Sequence, residues 1–484
     1  MALDYKTPGV YVEEKSLLPP SVAGVATAIP AFIGYTEKKT KNRVQKITSL
    51  LEFQTLFGEG ADLTIGEDGS LSGQKFVLFD SMRLFFDNGG GTCYVVSTGT
   101  YAEAKLQAPD TDVYKDAIKQ VAQQSEVTLL VFPDAALLLG ADQLKDVQTE
   151  ALSQCASMVG RFAILDVQQN LDGNYTTPSE QIDTEITGFR QRVTNILCYG
   201  AAYYPYLKTS YSKNIPFPEV LKALGISCEL NEGENEPVFS QPSQPTLEEI
   251  KKRAVWISEQ DLDNPEIKMK MNAIIPLIPG YAQKLEDLKD KASVIPPSGA
   301  IAGLYVSTDN KVGVWQAPAN AGLAGIKDLC VQINDSQQAG MNVDPLSGKS
   351  VNAIRFFKGK GILVWGSRTL DGGSSEWRYI PVRRLFSYVE QSVKLSTAWA
   401  VFEPNDANTW VKIKCQISNF LSNLWRAGAL AGASADEAFF VEVGKDITMT
   451  EADINDGYLR VRIGLAAVRP AEFIILEFSH KVQE

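Results

Sequence analysis

Residues able to do chemistry in this 484-residue chain are few, and their spacing works against them. "DPLSGKS" (Asp344 to Ser350) ends like a phosphate-binding loop, but the glycine required five residues before Gly348 is Val343. "NGGGT" (Asn88 to Thr92) leads from a helical pattern into a strand pattern, the reverse of the order that sets a phosphate on a helix N-terminus. "GLAG" (Gly322 to Gly325) lacks the first glycine of a dinucleotide fingerprint, and G-x-S-x-G does not occur. Asp371/Glu376 and Glu403/Asp406 are close carboxylates, but a chain with 58 acids must contain such pairs, and they read as solvated loop acids. Tyr203, Tyr204 and Tyr206 either stack on a sugar or base or form an aromatic packing corner. The one histidine, His480, stands four residues from the end, which removes His-based nucleophile activation and multi-histidine metal sites from the body of the chain. The missing chemistry counts against an enzyme, and no catalytic residue, metal or cofactor is expected.

The elements around these residues describe a large soluble protein. Hydrophobic content of 44% and charged content of 21% suit a chain of several domains. A formal net charge of −12 argues against a nucleic-acid coat or a membrane-surface binder. No apolar run approaches the roughly 20 residues of a membrane helix, so no membrane insertion is expected. "MALDYKTPGVY" has no apolar signal-peptide region, and the six scattered cysteines include no C-x-x-C. Cytoplasmic synthesis and buried free thiols follow as expectations.

Periodicity predicts a buried strand at "AIPAFIGYT", a helix, glycine loop and strand in "SMRLFFDNGGGTCYVVST", then a regular alternation. "EVTLLVFPD", "RFAILDV" and "NILCYGAAYYP" are apolar strands separated by the amphipathic helix "ADQLKDVQTEALSQCASM". Uniformly apolar strands alternating with helices mean a mainly parallel sheet covered on both faces, here a three-stranded α/β core at about 101–210. "CELNEGENEPVFSQPSQPTLEEIKKR" is acidic and Pro-rich, and is read as a loop insert at about 226–270. Two long helices follow from about Val351, "VRRLFSYVEQSVKLSTAWAVFE" stopped by Pro404 and "TWVKIKCQISNFLSNLWRAGAL" stopped at Gly428. "AFFVEVG" and "YLRVRIGLAAV" then read as strands.

Both chain ends raise a pairing problem. "TPGVYVEE" near the N-terminus and "RPAEFIILEFSH" near the C-terminus are strand patterns behind proline breaks with no local partner. Unpaired strands recruit other chains, and the productive form is addition to a sheet in a neighbouring copy, which gives rings or an open helix. Charge is also uneven. Residues 351–394 hold 8 Lys and Arg against 3 Asp and Glu, either a solvated helix face or a basic surface for an acidic partner.

"TPGVYVEE", "YGAAYYPYLKTS", "PPSGAIAGLYVSTDNKVGVWQAPAN", "GILVWGSRTLDGGSSEWRYIPVRRL", "WAVFEPNDANTWVKIK", "LWRAGALAG" and "VRPAEFIILEFSH" resemble the contractile tail sheath family of phage tails and extracellular contractile injection particles. The resemblance spans the chain outside roughly 226–270. It implies a terminal arm at 1–24, an outer α/β region at 25–345, an inner α+β sheath domain at 346–468 and a second arm at 469–484. The sheet of the inner domain would be completed by terminal strands of neighbouring subunits. Gly9, Val10, Tyr11, Val12 and Glu13, with Glu472, Phe473, Ile474, Ile475, Leu476, Glu477 and Phe478, would be the exchanged residues. Copies would form hexameric rings stacked helically, alone or with a paralogous sheath protein, around an inner tube, and meet baseplate and terminator or cap proteins, with no nucleic acid. Arg383, Lys394 and Arg384 are the tube-facing candidates. Arg383 and Lys394 are eleven residues apart and share a helical face; Arg384 sits about 100° away. A static filament or surface-layer protein is the alternative, and an α/β enzyme with sticky ends a more distant one.

Overall fold

The computed structural model describes residues 21–66, 71–73, 75–106, 109–158, 160–171, 173–226, 237 and 246–473. Gly9 to Glu13, Ile474 to Phe478, Cys228 and His480 lie outside the described residues.

Nine strands form one mixed sheet. They are β1 (Pro30–Thr36), β2 (Val44–Ile47), β3 (Cys93–Thr100), β4 (Leu129–Val131), β5 (Phe162–Asp166), β6 (Gly200–Tyr204), β7 (Ala321–Gly322), β8 (Asn352–Phe357) and β9 (Gly361–Trp365). Their order is β7-β9-β8-β6-β5-β4-β1-β3-β2. The run from β8 to β3 is parallel throughout, and antiparallel strands close both margins. The expected three-stranded core, β4 to β6, is therefore the middle of a larger sheet.

The central strands β1, β4, β5 and β6 are buried along their whole length because each face meets a different core. Ala31, Ile33, Ala163, Leu165, Ala202 and Tyr204 point into one cluster, packed under helices Thr111–Val121, Ala141–Ser157 and Pro178–Arg192. Their alternates Phe32, Phe162, Ile164, Ala201 and Tyr203 point into the other, with helices Leu78–Asp87 and Ser298–Lys311. The period of two along a strand does the sorting.

A third core contradicts the loop expected at about 226–270. From Thr246 onward the chain is helical, over Leu247–Ser258 and Pro265–Ile274, with Ile250, Ala254, Ile257, Ile267 and Ile274 buried against Phe217, Val220 and Tyr281. The physical signal is a capping box: Thr246 N–H donates to the Glu249 carboxylate at 2.8 Å while the Thr246 hydroxyl accepts from Glu249 N–H. The acidic, proline-rich residues before it masked the Ile250–Ala254–Ile257 stripe.

The chain divides into two compact units, and the division is not at 346. Residues 346–387 belong to the larger unit, Ala26–Ser387 plus the C-terminal residues from Arg469, because β8 pairs in parallel with β6 through Asn352↔Tyr203. The smaller unit takes residues 21–25 and Tyr388–Val468. Helix Ile380–Ser396 carries the chain from one to the other; it ends at Ser396 and a short 3-10 turn, Ala398–Ala400, precedes Pro404. In the smaller unit, helix Ala407–Arg426 starts on Asp406, whose carboxylate accepts from Thr409 N–H at 3.0 Å. It buries Ile413, Ile417, Phe420, Leu421 and Leu424 and ends before Gly428 at φ +83°. Strands β10 (Phe439–Val443) and β11 (Val461–Leu465) pair antiparallel.

Cys93 and Cys155 are buried, and burial pushes both thiols up, Cys155 to about 12; Cys415 is exposed, against the expectation of buried thiols.

Candidate functional site

The chemical candidates resolve into structure. Tyr203, Tyr204 and Tyr206 are buried: Tyr203 and Tyr305 share a hydroxyl hydrogen bond at 2.8 Å, and Tyr204 donates to Glu185 at 2.8 Å. They form a packing corner with no face open to a sugar or base. Around "DPLSGKS", the Asp344 carboxylate accepts Ser347 N–H at 2.9 Å, which makes a surface turn. Asp406 is a helix cap, as its bond to Thr409 shows.

At the carboxyl ends of the parallel strands two buried aspartates stand where a doubly wound sheet receives a ligand. Connections run from β3 across β1 to β4, so the strand order reverses between β1 and β4. Asp134, three residues past β4, fills that point. Its carboxylate accepts Tyr35 N–H at 2.7 Å from β1 and Val77 N–H at 2.8 Å from the start of helix Leu78–Asp87. Gly34 is needed for this approach, since a Cβ there would stand 2.6 Å from the carboxylate. Asp166, ending β5, accepts Ser298 N–H at 3.0 Å and the Ser298 hydroxyl at 2.5 Å at the start of helix Ser298–Lys311. Burial pushes both carboxyls up to about 7, against the opposing pull of these donors. Each helix N-terminus thus already has its donors taken by a carboxyl group that the chain itself supplies.

The tube-facing candidates separate. Arg383 is 4% exposed, with its guanidinium over the rings of Trp377 at 4.2 Å and Tyr199 at 5.0 Å. Arg384 is equally buried: it makes a two-pronged pair with Asp309 at 3.0 and 2.6 Å and donates to the Thr27 carbonyl at 3.0 Å. Both are interior residues of the larger unit, so neither supplies a surface. The reason is packing from afar: Tyr199, Tyr305 and Asp309 surround them, and helical spacing alone could not reveal that. Lys394 is exposed, on the part of its helix that belongs to the smaller unit.

What the structure does build carefully is the base of each terminal segment. On the N-terminal side, Ala23 and Val25 N–H donate to the hydroxyls of Ser396 and Ser392, each at 3.2 Å. A Cβ on Gly24 would stand 2.2 Å from the Tyr388 hydroxyl, so only glycine passes unhindered. On the C-terminal side, Glu472 meets Arg368. The guanidinium donates from Nε at 2.9 Å and from Nη2 at 2.5 Å, and the same carboxylate accepts from Asn342 at 2.8 Å and Tyr379 at 3.2 Å. Burial raises the Glu472 carboxyl, but these donors and the Arg368 charge outweigh it and hold the group below the usual carboxylate range. Glu472 lies in no strand; its side chain is spent within its own chain, while the next residue, Phe473, is 72% exposed. In the smaller unit β10 and β11 form a two-stranded sheet among the described residues, each with one strand neighbour and the other edge open.

Residues 373–481 match the family model for the phage tail sheath C-terminal domain. Curated relatives include the tail sheath protein of Vibrio phage KVP40, 28% identical over 153 residues, 31% of this chain and 22% of that protein. The tail sheath protein of Enterobacteria phage T4 is 28% identical over 127 residues, 26% of this chain and 19% of that protein. The matched stretch therefore spans about a fifth of the length of these relatives. Solved structures match over the whole chain. The anti-feeding prophage (AFP) helical sheath in its contracted state is 29% identical with a TM-score of 0.62, covering 99% of this chain and 100% of that one. The PVC sheath complex of an extracellular contractile injection system, also contracted, is 28% identical with a TM-score of 0.61 and 99% coverage of both chains. Residues 373–481 thus match a sheath domain, and the chain is similar over its full length to sheath chains of contractile injection particles.

Proposed function

We propose that this chain is the structural subunit of a contractile sheath: it polymerises helically around an inner tube from a baseplate and shortens to drive the tube through a target envelope. The observation that carries this reading is the end-to-end likeness to sheath chains solved in contracted particles. The reading is non-enzymatic. Shortening releases energy stored on assembly, the extended form being kinetically trapped, and no nucleotide is consumed.

Linkage follows the open edges of β10 and β11. Residues 9–13 of one copy and residues 473–478 of another would extend that pair into a larger sheet, supplying main-chain hydrogen bonds that a lone two-stranded ribbon lacks. Glu472, whose side chain is held by Arg368, would be the foot of the arm. Ring symmetry, an accompanying paralogous sheath protein, and the tube, baseplate and cap partners belong to the same proposal. Lys394 remains as the tube-facing cation.

Negative-stain electron microscopy of assembled particles tests the reading. Two populations of sheath length and width are expected; a single fixed geometry would make the assembly a static filament. Deleting residues 1–14 should leave a folded chain that forms no polymer, and intact sheaths from it would sink strand exchange.

A further inference from the structure

We propose that Arg368 is a positioning residue for assembly: it anchors Glu472 so that the C-terminal arm leaves the larger unit from a fixed point and in a fixed direction. The inference rests on the strand-exchange reading and adds to it the device that sets where the exchanged segment begins.

Arg368 is itself gripped before it grips. Its N–H donates to the Asn352 side-chain carbonyl at 2.8 Å, and the Asn352 amide returns a bond to its carbonyl at 2.8 Å. Asn352 is buried in β8, so the arginine is referenced to the main sheet. Arg368 Nη1 reaches the Asn342 and Gly372 carbonyls, each at 3.3 Å, which leaves Nε and Nη2 for Glu472. The guanidinium is 5% exposed and the carboxylate 21%. A forked pair this sheltered from water fixes orientation as well as distance.

Its object is the terminal segment alone. Residues 469–473 belong to no helix or strand, and side chains hold them: Glu472 on Arg368, and Arg469 on the Ser375 carbonyl at 2.8 Å. Without the anchor those residues must be ordered when the arm docks, at a cost in backbone entropy. With it that ordering is complete before two copies meet, which is preorganisation. Arg469 keeps part of it in either case, so the expected loss is about tenfold in assembly affinity.

The test uses the full chain, with Glu472→Ala, Glu472→Gln and a truncation after Phe473, compared by the critical concentration for pelletable polymer and by hydrogen exchange. Glu472→Ala should fold, exchange its 469–473 amides faster, and raise the critical concentration about tenfold. Glu472→Gln, which still accepts from Arg368, should fall between it and the native chain. The truncated chain should not polymerise. A Glu472→Ala chain that polymerises at the native concentration overturns the anchor while leaving strand exchange intact, provided that the truncation abolishes polymer. A truncated chain that polymerises normally overturns strand exchange itself. Failure of Glu472→Ala to fold would make the pair an element of the fold, and the proposal would fall on that result also.

Discussion

Replacing Asp309 with Asn should destabilise the larger unit without touching a surface. Arg384 and Asp309 are 4% and 3% exposed at the side chain, joined at 3.0 and 2.6 Å, with the guanidinium 4.7 Å from the Tyr305 ring. Removing the carboxylate charge leaves a buried cation with no counter-charge, held only by neutral acceptors (the amide oxygen of the substituted side chain and the Thr27 carbonyl) and a ring face, which costs about 3–5 kcal/mol. Unfolding entropy of about 2.1 cal/mol/K per residue, over roughly 360 residues, gives about 0.8 kcal/mol/K. The expected fall in Tm is therefore about 4–6 °C, read by differential scanning calorimetry on the full chain. Salt should change this little, because the pair is shielded from the ionic atmosphere. Replacing both partners, Arg384→Met with Asp309→Leu, should recover most of the loss, since an apolar pair leaves no charge to desolvate. A shift under about 1 °C in Asp309→Asn would refute the reasoning, because a cation this indifferent to its partner must be solvated.

Three further outcomes are expected. Asp134 and Asp166 are raised to about 7 in the fold from 3.8, so the folded chain holds protons that the unfolded chain releases; stability should fall as pH rises from about 4 to 7 and flatten above, with Asp134→Asn weakening the slope in calorimetric scans. Gly24→Ala should expose residues 21–25 to limited proteolysis, and adding Tyr388→Phe, which removes the hydroxyl 2.2 Å from the new methyl, should restore protection. Lys394→Glu should leave Tm unchanged, because the side chain is exposed, and reduce the fraction of tube-filled sheaths seen by electron microscopy, most at low ionic strength, where the reversed charge is least screened; normal filling would release Lys394 from the tube-facing role.

The apolar runs around Val131, Ile164 and Ala202 were legible as strands because a strand buried on both faces has no polar alternates. Their membership of a nine-stranded sheet was not, since β1 lies between β3 and β4 in space and no local pattern records that insertion. The boundary near 346 followed a change in composition, yet the parallel pairing of Asn352 with Tyr203 is between residues far apart in sequence. Arg383 and Arg384 looked like a surface pair for the same reason: Trp377 is close in sequence, but Tyr199, Tyr305 and Asp309 are not. Thr246-x-x-Glu249 was a readable cap that the acidic stretch before it obscured. Glu472 sat inside a strand-like run, and only the fold reveals that its carboxylate is committed to Arg368.

A sheet of this kind normally keeps its switch point open for a ligand, and the way this one is closed bears on what the protein can be. Asp134 and Asp166 place buried carboxyl groups on the two helix N-termini that face the carboxyl ends of β4 and β5, so an incoming phosphate would meet occupied donors. An open cleft remains nearby, lined by Gln168, Asn170, Glu185, Arg192 and Lys291, but Glu185 already accepts from Tyr204, Gln169, Asn170 and Gln181. Groups so committed rigidify the layer they join and are poorly placed to bind and release a substrate. The same carboxylates that close the ligand site tie helices Leu78–Asp87 and Ser298–Lys311 to the sheet. Helix Ser298–Lys311 carries Asp309, which holds Arg384 and, through it, Thr27 at the base of the N-terminal segment. Asp166, helix Ser298–Lys311, Asp309 and Arg384 thus connect the carboxyl end of β5 to one arm root, while Asn352 and Arg368 make a shorter line from the sheet to the other. Under the proposed strand exchange, stiffness between the two roots would let force pass through the arms instead of deforming the core.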